Sequence, residues 1–237
     1  MKQFLISSGL SICLLASFTS CEDEGECACL EPPTEHSYTF ESGREGWKSG
    51  FADYPVGEDA FYEVGSEVAD LPSPLDANQQ GLKITGNNHS DDLFMFITRQ
   101  ITNLAPNATY QLVVEVKVAS NAPQTSVGVG GSPGSSVYLK AGGTAEEPKA
   151  LEEAGVWQMN LDKGNQSQAG ADMQVLGTIG TDREDFNYAL VSLDNREEPF
   201  TVQTDEEGSL WVIIGTDSGF EGTTTLYYDQ ITVRLLP

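Results

Sequence analysis

The sequence predicts an all-β protein in which two antiparallel sheets pack as a sandwich. About a dozen short segments alternate between apolar and polar residues, which is the period of a half-buried strand. Gly, Pro, Asn and Asp stand between these segments as turn formers. Only residues 146–153 have the composition of a helical turn, and the sequence contains no amphipathic helix. Frequent turns between short strands favour two packed antiparallel sheets.

The predicted strands follow one another from Ser37 onward. The clearest covers residues 110–118, in which every even-numbered residue is apolar and the odd-numbered residues include Gln111, Glu115 and Lys117. Residues 93–102 are apolar on both faces, which predicts a central strand. The other predicted strands cover residues 38–40, 81–85, 126–131, 136–141, 156–161, 174–179, 188–193 and 200–204.

A hairpin over residues 208–233 closes the chain, with Asp217 in its loop. On the second strand Asp229 shares its parity with Ile231 and Val233, so its carboxylate is predicted to point toward the core. An unpaired buried carboxylate is costly, and it needs a cation or several hydrogen-bond donors. Two interpretations stay open for Asp229: hydrogen bonds from backbone N–H groups of a loop, and ligation of Ca²⁺.

The N-terminal segment predicts secretion and anchoring. Residues 1–20 combine a positive start with an apolar stretch too short to span a membrane, which predicts a signal peptide. The sequence before Cys21 resembles the bacterial lipobox, in which the cysteine after the cleavage site is acylated. Residues 21–36 are acidic, contain proline and lack periodicity, which predicts a flexible tether. The folded domain is expected over residues 37–237.

The acidic residues directly behind Cys21 resemble the surface-export signal of some Gram-negative outer-membrane lipoproteins. This resemblance implies an outer-membrane lipoprotein at the cell surface. Two alternatives stay open: the periplasmic face of that membrane, and ordinary cleavage without lipidation, which would release a secreted protein. Several acyl chains on one cysteine would anchor the protein stably, so the membrane is expected to be contacted only through the lipid.

The chain carries a formal net charge of −24 at pH 7, from 36 acidic and 12 basic residues. This balance excludes nucleic acid as a partner, because phosphates need Lys and Arg. It also excludes adhesion to anionic lipid through a basic patch. The charge is compatible with bound divalent cations, with solubility or with cationic partners. The predicted domain contains no cysteine, so no disulfide framework is expected, and we expect the domain to be monomeric.

Three short segments resemble the jelly-roll carbohydrate-binding modules. They are FESGREGW near the start, LAPNATYQLVVEVKV in the middle and LYYDQITV at the end. The resemblance implies a jelly-roll sandwich of the galactose-binding-like type, often with one structural Ca²⁺ between the first and last strands. By this likeness Glu41 and Asp229 are the metal ligands, and backbone carbonyls would complete the six to eight oxygens that Ca²⁺ prefers.

The resemblance also implies sugar binding through aromatic stacking and a polar fringe. The candidate aromatic residues are Trp47, Trp157, Trp211 and Tyr54. The candidate polar residues stand in two loops and are Asn88, Asp92, Asn165 and Gln166. The alternative is that these aromatic residues belong to the core and that the loops only form solvated turns.

The sequence gives little support to an enzyme, and no catalytic residue is predicted. Residues 138–142 (YLKAG) resemble a motif of the alginate-lyase family, but the companion motifs are missing. His36 and His89 are the chain's two histidines, and it has no G-x-S-x-G motif. The sequence therefore predicts a non-catalytic, glycan-binding surface lipoprotein with a structural calcium. The alternatives are a polysaccharide lyase or hydrolase on the same fold, and a structural or adhesive envelope protein without a sugar ligand.

Overall fold

A computed structural model of the chain describes residues 33–237. The predicted signal peptide, Cys21 and most of the predicted tether lie outside the described residues. Within them, side chains from two antiparallel sheets pack against each other and form the main core. No helix in this part of the chain is long and apolar enough to cross a membrane.

The described residues form fifteen strands and no helix. Their bounds are β1 (Thr34–Tyr38), β2 (Lys48–Ala52), β3 (Tyr54–Pro55), β4 (Gly65–Asp70), β5 (Gln80–Asn87), β6 (Phe94–Ile101), β7 (Thr109–Ser120), β8 (Val137–Thr144), β9 (Ala150–Glu153), β10 (Val156–Met159), β11 (Met173–Thr178), β12 (Ala189–Asp194), β13 (Phe200–Gln203), β14 (Leu210–Ser218) and β15 (Thr223–Leu236).

The strand order confirms the predicted jelly-roll sandwich. One sheet has seven strands, in the order β12-β7-β15-β5-β4, with β1 paired to β15 and β13 paired to β7. The other has five strands, in the order β11-β8-β14-β6-β2. From β5 to β8 the chain changes sheet at every connection, and it changes again between β14 and β15. Strands β3, β10 and β9 form a third, small sheet.

The inward faces of the two sheets carry the apolar residues that the alternation predicted. In β7 the side chains of Leu112, Val114 and Val118 are fully buried, as expected for residues 110–118. In β14 it is Val212 and Ile214 that face the same core. Burying each such side chain contributes about 1.5–3 kcal/mol, so this shared interior is the main source of stability.

Several segments differ from the sequence prediction. Residues 146–153 do not form a helical turn, and part of this segment is strand β9. Residues 126–131 form a loop with one isolated bridge, between Val129 and Glu221, instead of a strand. Strand β1 begins at Thr34 and pairs with β15, so residues 34–36 belong to the sandwich and not to the tether.

A β-bulge interrupts the strand alternation at Asp229, which is still buried. The pairing of β15 with β7 shifts between Tyr228 and Gln230, so Asp229 is the extra residue. Tyr228 and Ile231 are both fully buried, which shows that the alternation restarts after the bulge. The carboxylate of Asp229 pairs with the Nζ atom of Lys117 at 3.3 Å. Because the bulge adds one residue, strand parity counted backwards from Ile231 does not decide on which side of the sheet Asp229 lies.

The outer face of the five-stranded sheet is partly covered by residues 145–172, which we call the cover segment. Its side chains of Ala150, Met159 and Leu161 pack on a second apolar cluster that includes Phe94 and Phe96 of β6. This contact explains why β6 is apolar on both faces. A groove and a cluster of buried charges, both described below, lie on this outer face on either side of the apolar contact.

Candidate functional site

A groove of about 340 Å³ opens between β2 and the β9–β10 hairpin. We call it the aromatic groove; it is lined by residues 48–51, 54, 59, 96, 98, 147–150 and 157. Strand β2 supplies one wall because it is the edge strand of the five-stranded sheet, and the cover segment supplies the other. The groove therefore lies between the edge of this sheet and the cover segment.

Two predicted binding residues, Trp157 and Tyr54, meet in the aromatic groove. They are paired in register between β10 and β3, and the backbone of Trp157 also accepts a hydrogen bond from the N–H of Asp53. Trp157 is half-buried, whereas Tyr54 is buried and donates its hydroxyl to Oδ1 of Asp59 at 2.6 Å. Burial and this bond to Asp59 raise the pKa of Tyr54 above its ordinary value, so the phenol stays protonated.

Trp211 lies close to the groove but is not part of its lining. The Nζ atom of Lys48, which lines the groove, is 4.9 Å from the centroid of the Trp211 ring. The same atom is 2.5 Å from Oε1 of Glu147. The side chain of Lys48 is 62% exposed, so it can leave this position when a ligand arrives. A cation over an indole face contributes about 0.5–1 kcal/mol at exposed sites.

Trp47 is not a binding residue in this structure. It is 2% exposed and packs edge-on against Tyr38, with 5.5 Å between the ring centroids. A sugar ring has no access to either face of the indole. The prediction of Trp47 as a stacking residue is therefore wrong, and its alternative interpretation as a core residue is correct.

The far end of the same outer face carries a cluster of buried charges that the sequence did not assign. Lys140 and Asp217 are fully buried on neighbouring strands, β8 and β14, with Nζ and Oδ2 2.9 Å apart. Lys140 also donates to the carbonyls of Lys163 and Gln168, so all three of its N–H groups are used. Oδ2 of Asp217 further accepts the backbone N–H of Gln166. Asp217 lies in strand β14, whereas the sequence analysis placed it in the loop of the hairpin.

Lys163 joins this buried charge cluster, which comprises Asp53, Lys140, Lys163 and Asp217. Its Nζ atom is 3.0 Å from Oδ2 of Asp217 and 3.0 Å from Oδ2 of Asp53. Burial lowers the pKa of Lys140. Burial also acts to lower the pKa of Lys163, but the carboxylates of Asp217 and Asp53 outweigh it and raise this pKa overall. Burial also raises the pKa of Asp53. The cluster thus joins Lys163 of the cover segment to β8 and β14 through buried pairs that are costly to break.

Asp92 lies beside the cluster and not in the aromatic groove. It is half-buried, and its Oδ1 atom has no hydrogen-bond partner among residues 33–237. The pKa of Asp92 is raised to about 6, mainly because the carboxyl is partly buried. The charge of Lys163 acts to lower this pKa, whereas the neighbouring carboxylates of Asp217, Asp53 and Asp91 act to raise it. The predicted polar loop thus places one carboxyl where it titrates near neutral pH.

The amide side chain of Asn88 is fully used inside the protein. Its Nδ2 group donates to the carbonyls of Ser218 and Phe220, and its Oδ1 atom accepts the backbone N–H groups of Ser90 and Leu93. Asn88 is buried and joins the loop before β6 to the loop after β14. The prediction that Asn88 contacts a ligand is therefore wrong, because no polar atom of its side chain is left to do so.

Asn165 and Gln166 occupy the loop of the cover segment. Gln166 donates its backbone N–H to Asp217 and its side-chain amide to the carbonyl of Asp91 at 3.0 Å, so it holds the loop closed. Asn165 is exposed and lines a small depression of about 250 Å³ with residues 166–168. A ligand role for Asn165 stays a prediction.

The two predicted calcium ligands do not form a fitting donor set. Glu41 is exposed, and its Oε1 atom accepts the backbone N–H of Gln80 at 3.0 Å. Asp229 pairs with Lys117 instead of with another oxygen donor. Within residues 33–237, no three His, Cys, Asp or Glu side chains converge to hold a metal ion. The calcium expectation stays a prediction that metal titration can test.

His89, one of the chain's two histidines, has aromatic neighbours. Its ring stacks on Phe61 with 4.1 Å between centroids and meets Tyr62 edge-on at 5.4 Å. Its Nε2 atom is 3.1 Å from the carbonyl of Phe61. An Arg and a Tyr facing His89 across a cleft would have favoured a lyase, and these contacts do not provide that arrangement.

No protein-family model matches the chain, and no curated protein matches it in sequence. Several solved structures that are similar to it are carbohydrate-binding modules. The xylan-binding CBM22 domain of a Paenibacillus barcinonensis protein is 16% identical, with 85% of this chain and 93% of that chain covered and a TM-score of 0.38. A CBM28 module specific for non-crystalline cellulose is 12% identical, with 84% and 92% covered and a TM-score of 0.40.

A third similar structure is a cleaved adhesin domain of Lys-gingipain from Porphyromonas gingivalis. It is 10% identical, with 84% of this chain and 97% of that chain covered and a TM-score of 0.39. Similarities of this size say nothing about what this chain binds. The functional conclusion therefore depends on the residues of the groove itself.

Proposed function

We propose that the sandwich domain binds a glycan in the aromatic groove and does not cleave it. The observation that supports this proposal is Trp157, a half-buried indole that lines an open groove together with polar side chains. Sugar rings present an apolar face of C–H groups and a rim of hydroxyls, so they bind where an aromatic ring has hydrogen-bonding groups beside it. Thr98, Glu147 and Lys149 supply such groups here.

Trp211 extends the surface that a glycan would use. Lys48 lies between the groove and this second indole. Its exposed ammonium can move off the face of Trp211 and donate a hydrogen bond to a sugar hydroxyl instead. Two aromatic surfaces separated by one movable side chain suit a ligand longer than a single sugar. We therefore propose an oligosaccharide or polysaccharide as the partner.

The substitution Trp157→Ala tests the proposal. The wild-type chain is screened for a rise in melting temperature against a broad glycan panel, because a ligand that binds only the folded state stabilises it. For a glycan that binds, we expect Trp157→Ala to weaken the affinity at least about tenfold, or about 1.4 kcal/mol, in a calorimetric titration. Trp211→Ala is expected to weaken it by a smaller factor.

Phe186→Ala is the matched control, because Phe186 is 63% exposed and lies outside the groove. Equal loss of affinity in the Phe186 and Trp157 variants would reject the groove as the binding site. A panel that produces neither a melting shift nor a cleaved product would leave the structural or adhesive alternative. Cleavage of any glycan would establish the enzyme alternative.

We also propose that Cys21 is lipidated and anchors the domain at the outer face of the outer membrane. The support is the lipobox-like sequence before Cys21 and the acidic residues behind it. Cys21→Ser removes the thiol that would carry the lipid, so we expect the variant to move from the membrane fraction to the soluble fraction. Protease accessibility on intact cells separates the cell surface from the periplasmic face. A Cys21→Ser chain that stays in the membrane fraction would contradict the anchor.

A further inference from the structure

Three polar side chains surround the ring of a fourth, Tyr38, at an edge of the sandwich, on the inner faces of the sheets. Strand β1 supplies His36 and Tyr38, the following loop supplies Trp47, and β6 supplies Arg99. The guanidinium carbon of Arg99 is 4.4 Å from the centroid of the Tyr38 ring, the Trp47 ring is 5.5 Å from it and the His36 ring is 6.3 Å from it. We call these four residues the donor cluster.

Each member of the donor cluster has a buried polar atom without a hydrogen-bond partner in the described part of the chain. These atoms are Nε2 of His36, the hydroxyl of Tyr38, Nε1 of Trp47 and Nε of Arg99. Tyr38 and Trp47 are themselves 6% and 2% exposed. Buried polar groups are nearly always paired, so an unpaired group calls for a water, an ion or a ligand. Here the four groups belong to side chains that are arranged around one ring.

Arg99 is also unusual in having no acidic partner. Of the eleven Lys and Arg residues between positions 33 and 237, eight lie within 4.0 Å of a carboxylate oxygen. Arg44, Arg99 and Lys149 do not, and Arg44 donates instead to Ser49 and to the carbonyl of Ser66. A partly buried guanidinium without an anion is unexpected in a chain with a net charge of −24.

The backbone makes room for this guanidinium. Gly46 has a φ of +82°, and a Cβ atom at this position would lie 2.1 Å from Nη1 of Arg99. A side chain at position 46 would therefore displace the guanidinium from the donor cluster. The charge of Glu45 also acts on Tyr38, and the Oε2 atom of Glu45 accepts the backbone N–H of Thr39 at 3.2 Å.

We propose that the donor cluster binds one small carboxylate anion. A guanidinium matches the two oxygens of a carboxylate with parallel N–H donors, and the Tyr38 hydroxyl and Trp47 N–H can donate to the same group. The site is separate from the aromatic groove, because Arg99 points to the inner face of β6 whereas its neighbour Thr98 lines the groove on the outer face. The pKa of His36 is lowered by burial and by Arg99, which agrees with an excess of positive charge there.

The chain's two histidines allow a direct test by NMR. The secreted chain from residue 21 onward, carrying Cys21→Ser, is titrated with sodium acetate while sodium chloride keeps the ionic strength constant. We expect the pKa of His36 to rise by about one unit and to saturate, because a bound anion favours the charged imidazole. His89 serves as the internal reference, because it lies outside the donor cluster and its ring resonances are expected not to respond to acetate.

Arg99→Met is expected to abolish the acetate response of His36, while Arg183→Gln, which removes a surface charge, leaves it intact. If Arg99→Met does not fold, Tyr38→Phe keeps the packing and removes one donor, and it is expected to weaken acetate binding several-fold. A response that is equal at His36 and His89, a response that does not saturate, or full acetate binding by the Tyr38→Phe and Arg99→Met chains would overturn the proposal. Ordered water alone would then explain the unpaired donors.

Discussion

Asp92 is held half-buried beside three other carboxylates, and its pKa is raised to about 6. A carboxyl whose folded-state pKa exceeds its unfolded value stabilises the protein fully below the unfolded pKa, and this contribution is lost as the pH rises through the folded value. The affected window therefore runs from about pH 4 to about pH 6. Replacement by a neutral group should remove this dependence.

We therefore expect Asp92→Asn to be more stable than the wild type at neutral pH by about 1 kcal/mol, after allowance for solvent screening of a half-exposed group. The two chains should be equally stable near pH 4. Urea unfolding at several pH values measures the difference. Glu206→Gln is the control, since Glu206 is exposed and is not among the carboxylates that act on Asp92. Equal pH profiles for the two variants would contradict the assignment to Asp92.

At the level of single residues, the sequence identified chemistry better than direction. Tyr54 and Trp157 were selected as aromatic candidates, and the structure brings both into one groove. Trp47 was selected by the same rule and is core, because side-chain type does not say which way a loop residue turns. Asp229 is buried as expected, but strand parity was not a sound reason for it, because one bulged residue shifts the parity of every residue before it.

The elements of the sheets were largely predictable, because their alternation is a local property of the chain. The cover segment was not, since its apolar residues Met159 and Leu161 pack on strands far away in sequence. The buried charge cluster was missed for the same reason. Lys140 stands in a strand-like segment, and only the return of the loop around Lys163 supplies its carbonyl partners.

Lys140→Met tests whether the cluster holds the cover segment in place. The substitution keeps most of the side-chain volume, but it removes the ammonium that bonds Asp217 and two loop carbonyls. Breaking a buried pair by removing one partner costs about 3–5 kcal/mol, so a loss of about 3 kcal/mol is expected in urea unfolding. We also expect faster hydrogen exchange at Gln166, whose amide donates to Asp217.

Lys83→Met is the control for this experiment. Lys83 forms a more exposed pair with Glu67 at 2.9 Å, so its replacement should change stability by less than about 1 kcal/mol. If Lys140→Met lowers global stability but leaves the exchange of residues 160–172 unchanged, the cluster supports the sheet and does not position the loop. The width of the aromatic groove would then not depend on it.

The net charge of −24 acts on the whole molecule. Eight of the eleven basic residues in the described chain are already paired, so most of the carboxylates repel one another without compensation. Such self-repulsion destabilises a compact state, and salt weakens it as the Debye length falls from about 30 Å at 0.01 M to about 8 Å at 0.15 M. Sodium chloride should therefore raise the stability of this protein.

Over that range of sodium chloride we expect a gain of about 1 kcal/mol, or about 2–4 °C in melting temperature for a domain of this size. Calcium and magnesium chloride at matched ionic strength should give the same gain as each other, because Glu41 and Asp229 are engaged with Gln80 and Lys117. A further rise with calcium alone, lost in Asp229→Asn, would show that the last strand does bind the metal and that Lys117 gives way to it. Scanning calorimetry separates the two outcomes, since screening saturates with ionic strength whereas specific binding follows the calcium concentration.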